Sequence, residues 1–146
     1  MCLITKTSVC SVAKNGIKCY KVVLWHDGKF TTPHQKTQIQ KIVVDGKMPF
    51  FADGEKGIEG IDYSPDDTNA SPNKYAIGNG FIHTYKSLTS AWLLITHIQF
   101  IMHAEYVCRI FECEIPKGTK YYEGEDGFHE AAFASEKINF IKEIEL

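Results

Sequence analysis

Residues 17–29 read IKCYKVVLWHDGK, and this stretch decides the kind of fold that we expect. Ile17–Trp25 is rich in β-branched and aromatic residues, which favour a strand. Asp27-Gly28 follows, and an Asp-Gly pair after an apolar run is a strong indication of a tight hairpin turn. The sequence therefore predicts a domain that opens with a strand and a turn leading into Phe30–Thr32.

Outward from this stretch, apolar segments predict further strands and one long helix. The helix begins at Ser87 or Thr89, because either hydroxyl can accept from the first free amides, and it ends at about Ala104. Its apolar residues occupy nearly all faces, so we expect it to be covered by the sheet and also by loops or a second subunit. This predicts a homo-oligomer. Further strands are expected at residues 41–44, 81–85, 106–115 and 137–145.

The length and the order of these elements predict the fold class. A chain of 146 residues fits one domain. About five to seven strands and one long helix, without regular strand–helix alternation, predict an α+β domain over residues 1–146, with a mainly antiparallel or mixed sheet packed on the helix. Residues 51–80 show neither helical nor strand periodicity, which predicts a long irregular loop suited to a lid or a partner contact.

The charge balance excludes several classes of partner. Sixteen basic and eighteen acidic side chains give a net charge of −2, so the chain lacks the positive field that gathers nucleic acid or an anionic membrane. Only one of the sixteen cations, Arg109, is an arginine, the residue that most often makes forked contacts to bases and phosphates. We therefore expect no nucleic-acid and no membrane partner.

Cysteine usage indicates a reducing compartment. The five cysteines form an odd number and include no CxxC pair, which fits free thiols better than a disulfide framework or a zinc site. The longest apolar stretch, residues 91–102, is interrupted by polar residues and falls short of the roughly 20 residues of a membrane span. The sequence therefore predicts a cytoplasmic protein.

No motif of a resident cofactor or metal is present. The chain contains neither GxGxxG nor GxxxxGK[ST], the loops that cradle dinucleotides and nucleoside triphosphates. His97 and His103 are six residues apart, which places them about 120° from each other around a helix and not on one ligand face. Glu112 and Glu114 share one face of a strand, but an exposed sheet face explains them equally well. We expect no metal and no bound cofactor.

The C-terminal third of the chain carries a family resemblance. Residues 115–121 read IPKGTKY, an acid-rich loop follows, and residues 134–138 read ASEKI before a last strand. This order resembles the C-terminal part of ADP-ribosyltransferase-like domains. The resemblance implies that fold and an NAD-using enzyme, with Glu136 as the catalytic carboxylate and NAD as substrate. It also matches Ser87 and Thr89 to the family's Ser-Thr-Ser element.

The chain departs from that family's pattern at two places. Lys18 or Tyr20 stands where the family has arginine or histidine on the first strand, and Ala134 replaces the first acid of its acid-x-glutamate pair. The NAD-using enzyme, in an active or a degenerate form, is therefore kept as an alternative hypothesis.

A second resemblance comes from the overall pattern. MCLITKT at residues 1–7, GFIHTY at residues 80–85 and IPKGTKYYEG at residues 115–124 resemble small proteins of gut bacteria and their phages. Small phage proteins often act by binding and sequestering, including the capture of nucleotide-derived immune signals, and this needs a pocket but no catalyst. The resemblance implies an anti-defence binding protein of phage or mobile-element type in a bacterial host cell.

We therefore expect a pocket for a nucleotide-like small ligand. Aromatic rings stack on bases, a histidine donates to phosphate, and a lysine adds a point charge. The alternatives are the NAD-using enzyme and a protein-interaction module without a small ligand. The residues expected to bind the ligand are Tyr20, His83, Tyr85, Ser87, Thr89, Lys117, Tyr121 and Tyr122.

Overall fold

Strands dominate the structure and join into one sheet. The computed structural model describes residues 3–5, 9–33, 38–39, 42, 44, 49–51, 58–60, 75–77, 80–102 and 107–145. Within these residues there is one helix, α1 (Leu88–Met102), and every strand pairing is antiparallel. The strands are β1 (Leu3–Thr5), β2 (Ser11–Val12), β3 (Ile17–His26), β4 (Lys29–Thr31), β5 (Gln38–Ile39), β6 (Pro49–Phe51), β7 (Ile58–Gly60), β8 (Tyr75–Ile77), β9 (Ile82–Tyr85), β10 (Val107–Ile115), β11 (Lys120–Glu125), β12 (Ala131–Ser135) and β13 (Lys137–Ile144).

The α+β class predicted from the sequence is wrong. In the described residues, thirteen strands accompany one helix of 15 residues, so the protein is largely β and does not consist of five to seven strands packed on one long helix. Among the strands that were not predicted, β12 has five residues (AAFAS), and β2 and β5 to β8 have two or three residues each. Elements this short cannot display the alternation of apolar and polar residues by which a strand is recognised.

The predicted hairpin at the end of β3 is confirmed. His26 pairs with Lys29, and the two residues between them, Asp27 and Gly28, have φ values of 52° and 72°. Two positive φ angles are what a two-residue turn of type I′ requires, and Asp-Gly tolerates them. The hairpin thus follows from local sequence.

Two other predicted segments lie largely outside the described residues. Of the strand expected at 41–44, residues 42 and 44 are described and are not in a strand. Of the irregular loop expected at 51–80, residues 58–60 and 75–77 form β7 and β8, which pair with each other. Residues 52–57, 61–74 and 78–79 are outside the described part of the chain.

The sheet follows the order β6-β13-β10-β3-β9-β12-β11-β1-β8-β7, and β3 lies near its middle. Both faces of β3 are buried: Val22 and Leu24 belong to a first core shared with α1, whereas Cys19 and Val23 belong to a second core on the opposite face. A strand buried on both faces carries a nearly continuous apolar run, as IKCYKVVLW does. The site described below lies on the α1 side.

Helix α1 is capped at its start by Ser87 and packs into the first core through one apolar stripe. The Ser87 hydroxyl accepts the N–H of Ser90 at 3.2 Å, which confirms Ser87 as the capping residue. On the other face Trp92 and Leu93 are 41% and 49% exposed, so the described part of this chain leaves that face uncovered, and cover by a second subunit stays a prediction. The buried stripe consists of Ala91, Leu94, Ile95 and Ile98, spaced as one helical face.

Candidate functional site

A cleft lies between α1 and the turn that joins β11 to β12. We call it the α1 cleft. Its volume is about 350 Å³, which falls within the roughly 300–1,000 Å³ typical of small-molecule sites. Its lining combines apolar side chains with a few polar ones: Ser90, Leu93, Leu94, Thr96, His97, Asp126, Phe128 and Glu130.

Asp126 fixes the turn that forms one wall of the α1 cleft. Its buried carboxylate accepts the backbone N–H groups of Phe128 at 2.8 Å and Glu130 at 3.0 Å through Oδ1, and the Tyr85 hydroxyl at 2.6 Å through Oδ2. Burial and the hydrogen bond to Asp126 raise the pKa of Tyr85, so the tyrosine remains a donor. The turn is therefore rigid before any ligand arrives.

Glu130 brings a carboxylate to the α1 cleft in a fixed orientation. Its Oε2 accepts the Ser90 hydroxyl at 2.7 Å, and Ser90 Oγ lies 2.9 Å from Ser87 Oγ. Ser90 is buried and Glu130 is half-buried. Because an ionised carboxylate has about four acceptor positions, Ser90 orients Glu130 and leaves it able to accept further hydrogen bonds.

Apolar and aromatic surface forms the remaining walls. The rings of His97 and Phe128 meet at a centroid distance of 4.6 Å and an angle of 64°. Phe128 is 47% exposed, so a large part of its ring is open to contact. Among the described residues, Asp126 and Glu130 line the α1 cleft and no lysine or arginine does. The α1 cleft thus offers ring surface beside negative charge.

A second polar cluster lies around Lys21 on β3. Its Nζ donates to the backbone carbonyl of His83 at 2.9 Å. This contact is made where β3 and β9 share one residue pair, so the ammonium takes the place of a missing ladder hydrogen bond. A cavity of about 30 Å³ next to Lys21 and His83 has room for about one water molecule. The Lys21 cluster therefore stabilises the sheet, and the cavity beside it is too small to hold a ligand.

Burial shifts the titration of both side chains in this cluster. Burial lowers the pKa of Lys21 to about 8. It also lowers the pKa of His83 to about 4, although the hydrogen bond from the His83 ring to the backbone of Ile77 acts in the opposite direction. The neutral His83 ring donates from Nε2 to the carbonyl of Ile77 at 2.8 Å. His83 is thus neutral at pH 7 and already engaged with the backbone.

The structure brings only part of the predicted binding set to the α1 cleft. Tyr85 and Ser87 lie next to it, because Tyr85 donates to Asp126 and Ser87 contacts Ser90. His83 belongs to the Lys21 cluster instead, with its Nε2 on the backbone.

The other predicted binding residues lie elsewhere on the fold. Thr89 is exposed in the first turn of α1, and Lys117 is exposed at the turn after β10. Tyr20 packs against the first core. Tyr122 is buried with its ring 5.5 Å from that of Phe81. Tyr121 lines a different surface hollow, formed with residues 11–17. The described residues therefore give no single site that contains all eight.

Glu136, the carboxylate matched to the transferase family, lies at the far end of the β11–β12 hairpin. Ala132 pairs with Tyr85 and Ser135 pairs with Ile82, so Ser87 extends beyond one end of β12 and Glu136 beyond the other. Five residues of strand between 131 and 136 span about 17 Å. The structure does not bring Glu136 to the Ser-Thr-Ser element that the resemblance assigns to the same site.

None of the eight lining residues of the α1 cleft was among the predicted binding residues, and the missed ones include His97, Asp126, Phe128 and Glu130. The sequence contained one indication, since residues 123–130 read EGEDGFHE and place an aromatic ring among carboxylates in a loop. Loops that carry such side chains are frequent binding elements. What the sequence lacked was the position of this loop against α1.

The described part of the chain carries neither an assembled metal site nor a membrane-spanning helix. There, no group of three or more His, Cys, Asp or Glu side chains is placed to hold a metal ion. None of the described helical structure is long and apolar enough to cross a membrane.

Comparison with known proteins gives no relative on which to base a function. No protein-family model, no curated protein and no solved structure matches this chain.

Proposed function

We propose that this chain is a binding protein that holds a flat, ring-bearing small molecule, a nucleobase or nucleoside, in the α1 cleft without transforming it. The observation that carries the proposal is the pairing of ring surface, from His97 and Phe128, with the oriented carboxylate of Glu130. Stacking of a base on an aromatic side chain contributes about 1–3 kcal/mol. A few polar groups among apolar walls then fix the orientation of the ligand.

The charge of the α1 cleft favours binding of the base of a nucleotide-like ligand and disfavours binding of its phosphate. The described residues of its lining include two acidic side chains and no lysine or arginine. Phosphate groups are bound by cations and by backbone N–H groups. Lys117 and His83, to which the sequence assigned phosphate contacts, lie outside the lining. A nucleotide would therefore place its base in the α1 cleft and its phosphates in solvent.

The hydrogen bonding of Ser90 supports binding without chemistry. The Ser90 hydroxyl donates to the Glu130 carboxylate, yet Ser90 is only 5% exposed and also contacts Ser87. A nucleophile needs an open path to the reacting atom as well as a base. Ser90 has the base but not the path, so its role is to position Glu130.

Sequestration in a reducing cytoplasm is the setting that we propose for this activity. Cys10, Cys19, Cys108 and Cys113 are free thiols in the structure, and free thiols are usual in reducing compartments. A protein that binds without turnover acts by lowering the free concentration of its ligand. This is the behaviour implied by the resemblance to small phage proteins, and it fits an anti-defence role.

The proposal is tested by native mass spectrometry of the purified chain mixed with nucleosides, cyclic nucleotides, ADP-ribose and NAD. We expect a non-covalent mass increment of one intact ligand per chain. Phe128→Ala removes one ring wall and should weaken binding about tenfold or more. Phe51→Ala is the matched control, because Phe51 is 58% exposed and does not line the α1 cleft.

Two results would contradict the proposal. One is the absence of any bound ring compound, which would favour the protein-interaction alternative. The other is the release of nicotinamide from NAD, lost in Glu136→Gln, which would favour the transferase alternative. Equal weakening by Phe128→Ala and Phe51→Ala would place the ligand outside the α1 cleft.

A further inference from the structure

Glu130 is held at more points than a simple wall residue needs. Its backbone N–H donates to Asp126 Oδ1 at 3.0 Å, and its carbonyl accepts the backbone N–H of Asp126 at 3.0 Å. Its carboxylate accepts the Ser90 hydroxyl at 2.7 Å. Backbone and side chain are thus fixed from both sides of the cleft, by the turn and by α1. Such preorganisation reduces the entropy lost when a ligand binds.

A fixed carboxylate selects ligands by the donors they present. Two parallel N–H groups on a planar ligand match the two oxygens of a carboxylate, and such charge-assisted pairs are stronger and more directional than neutral hydrogen bonds. Ser90 occupies one acceptor position of Glu130, and about three remain. Glu130 is therefore suited to a ligand edge with two neighbouring N–H donors.

Among nucleobases this chemistry distinguishes guanine. The Watson–Crick edge of guanine presents N1–H and the exocyclic N2–H side by side. Hypoxanthine lacks the N2 amine, and adenine presents an acceptor at N1, which a carboxylate repels. Guanine also carries an oxygen beside N1–H, and the ring of His97 in the lining carries an N–H that can donate to it.

Resting on the proposed function, we infer that Glu130 makes the α1 cleft selective for a flat ligand with two adjacent N–H donors, of which a guanine base is the fitting example. An aromatic amidinium presents the same donor pair and the same flat ring, with a positive charge added. The shared chemistry is the donor pair, and the experiment distinguishes its two sources.

The experiment is isothermal titration calorimetry with guanosine, inosine, adenosine and benzamidine as the probes. We expect guanosine to bind at least tenfold more tightly than inosine or adenosine, because an unmatched edge leaves a desolvated carboxylate oxygen without a donor. In Glu130→Gln one acceptor becomes a donor, and the preference for guanosine should fall to within about threefold. The matched control is Glu123→Gln, on the same hairpin but paired with Lys86 and absent from the lining.

Each outcome has a defined meaning. If the preference for guanosine is lost in Glu130→Gln, the result supports the inference with a base as the ligand. If benzamidine is the only compound whose binding weakens in Glu130→Gln, the result supports the inference with an amidinium as the ligand. Equal affinity for all ring compounds, or selectivity unchanged in Glu130→Gln, overturns the inference and leaves the proposed function standing. Absence of binding by every compound overturns both.

A second variant keeps the test decisive where Glu130→Gln does not fold. Ser90→Ala leaves the carboxylate in place but removes the hydroxyl that orients it. We expect guanosine affinity to fall several-fold while the charge of the cleft is unchanged. Unaltered guanosine affinity in Ser90→Ala would contradict the positioning of Glu130 by Ser90 and overturn the inference.

Discussion

The buried ammonium of Lys21 should make the stability of this protein depend on pH in a defined way. Lys21 is 5% exposed, donates to the carbonyl of His83, and has its pKa lowered by burial to about 8. In the unfolded chain its pKa returns to about 10.4. Between these two values the unfolded state binds one more proton than the folded state, so the free energy of unfolding rises with pH.

The size of the effect follows from the shift. A lowering of about 2.5 units corresponds to about 3 kcal/mol over the whole window. Between pH 7 and pH 9 the folded Lys21 loses most of its proton, which contributes about 1.4 kcal/mol. Cys19 and Cys113 act in the opposite direction from about pH 8 upwards, because burial raises the pKa of both thiols, that of Cys19 to about 12, whereas unfolded thiols titrate at about 8.5. The effect of Lys21 is therefore measured as a difference between two chains that both contain these cysteines.

The assay is urea unfolding, followed by tryptophan fluorescence at steps from pH 7 to pH 9, for the wild type and for Lys21→Met. The wild type minus Lys21→Met difference in unfolding free energy should rise by about 1.4 kcal/mol across this range. Lys18→Met is the control, because Lys18 is on the same strand but exposed beside Glu112. It should keep the full pH dependence of the wild type. A difference that stays flat or falls between pH 7 and pH 9 would refute the reasoning.

Three further perturbations test other parts of the structure. Burial lowers the pKa of His83 to about 4, so the neutral ring stabilises the fold above pH 6.5. This stabilisation, up to about 3 kcal/mol, is lost as the pH falls towards 4. His83→Gln should remove the acid dependence, measured by urea unfolding at pH 4 to 7. Ser87→Ala deletes the helix cap and should lower the free energy of unfolding by about 1 kcal/mol, measured by the same denaturation, whereas exposed Thr89→Ala should change it by less than about 0.5 kcal/mol. Phe140→Ala leaves a cavity in the second core, where Phe140 is 1% exposed, and should lower the free energy of unfolding by about 3–5 kcal/mol. Phe51→Ala is the control, because Phe51 is exposed.

The long elements of the fold were predictable because they carry their own local information. β3, β10 and α1 each contain nine or more residues, enough to show a strand run or a helical stripe. The Asp27-Gly28 turn is fixed by two positive φ angles. The short strands are different: β8 has three residues, and its place in the sheet depends on pairing with β1, which is distant in sequence. Missing them led to the wrong class.

The candidate site was predictable only where local chemistry sufficed. Ser87 was recognisable as a helix cap, and Tyr85 as an aromatic residue ahead of it. His97 and Phe128 are 31 positions apart, and their 4.6 Å ring contact exists only because the β11–β12 turn folds against α1. Lys21 was not recognisable as buried, because a lysine in a strand is usually exposed and its partner is a backbone carbonyl.

The central claim, that the α1 cleft binds a ring-bearing small molecule, is tested most directly by chemical-shift mapping of the isotope-labelled chain during titration with guanosine. The account predicts saturable shifts at the backbone amides of Leu93, His97, Phe128 and Glu130, with little change around residues 11–17, where Tyr121 lines the other hollow. Shifts confined to residues 11–17, or no saturable shift at the α1 cleft, would contradict it.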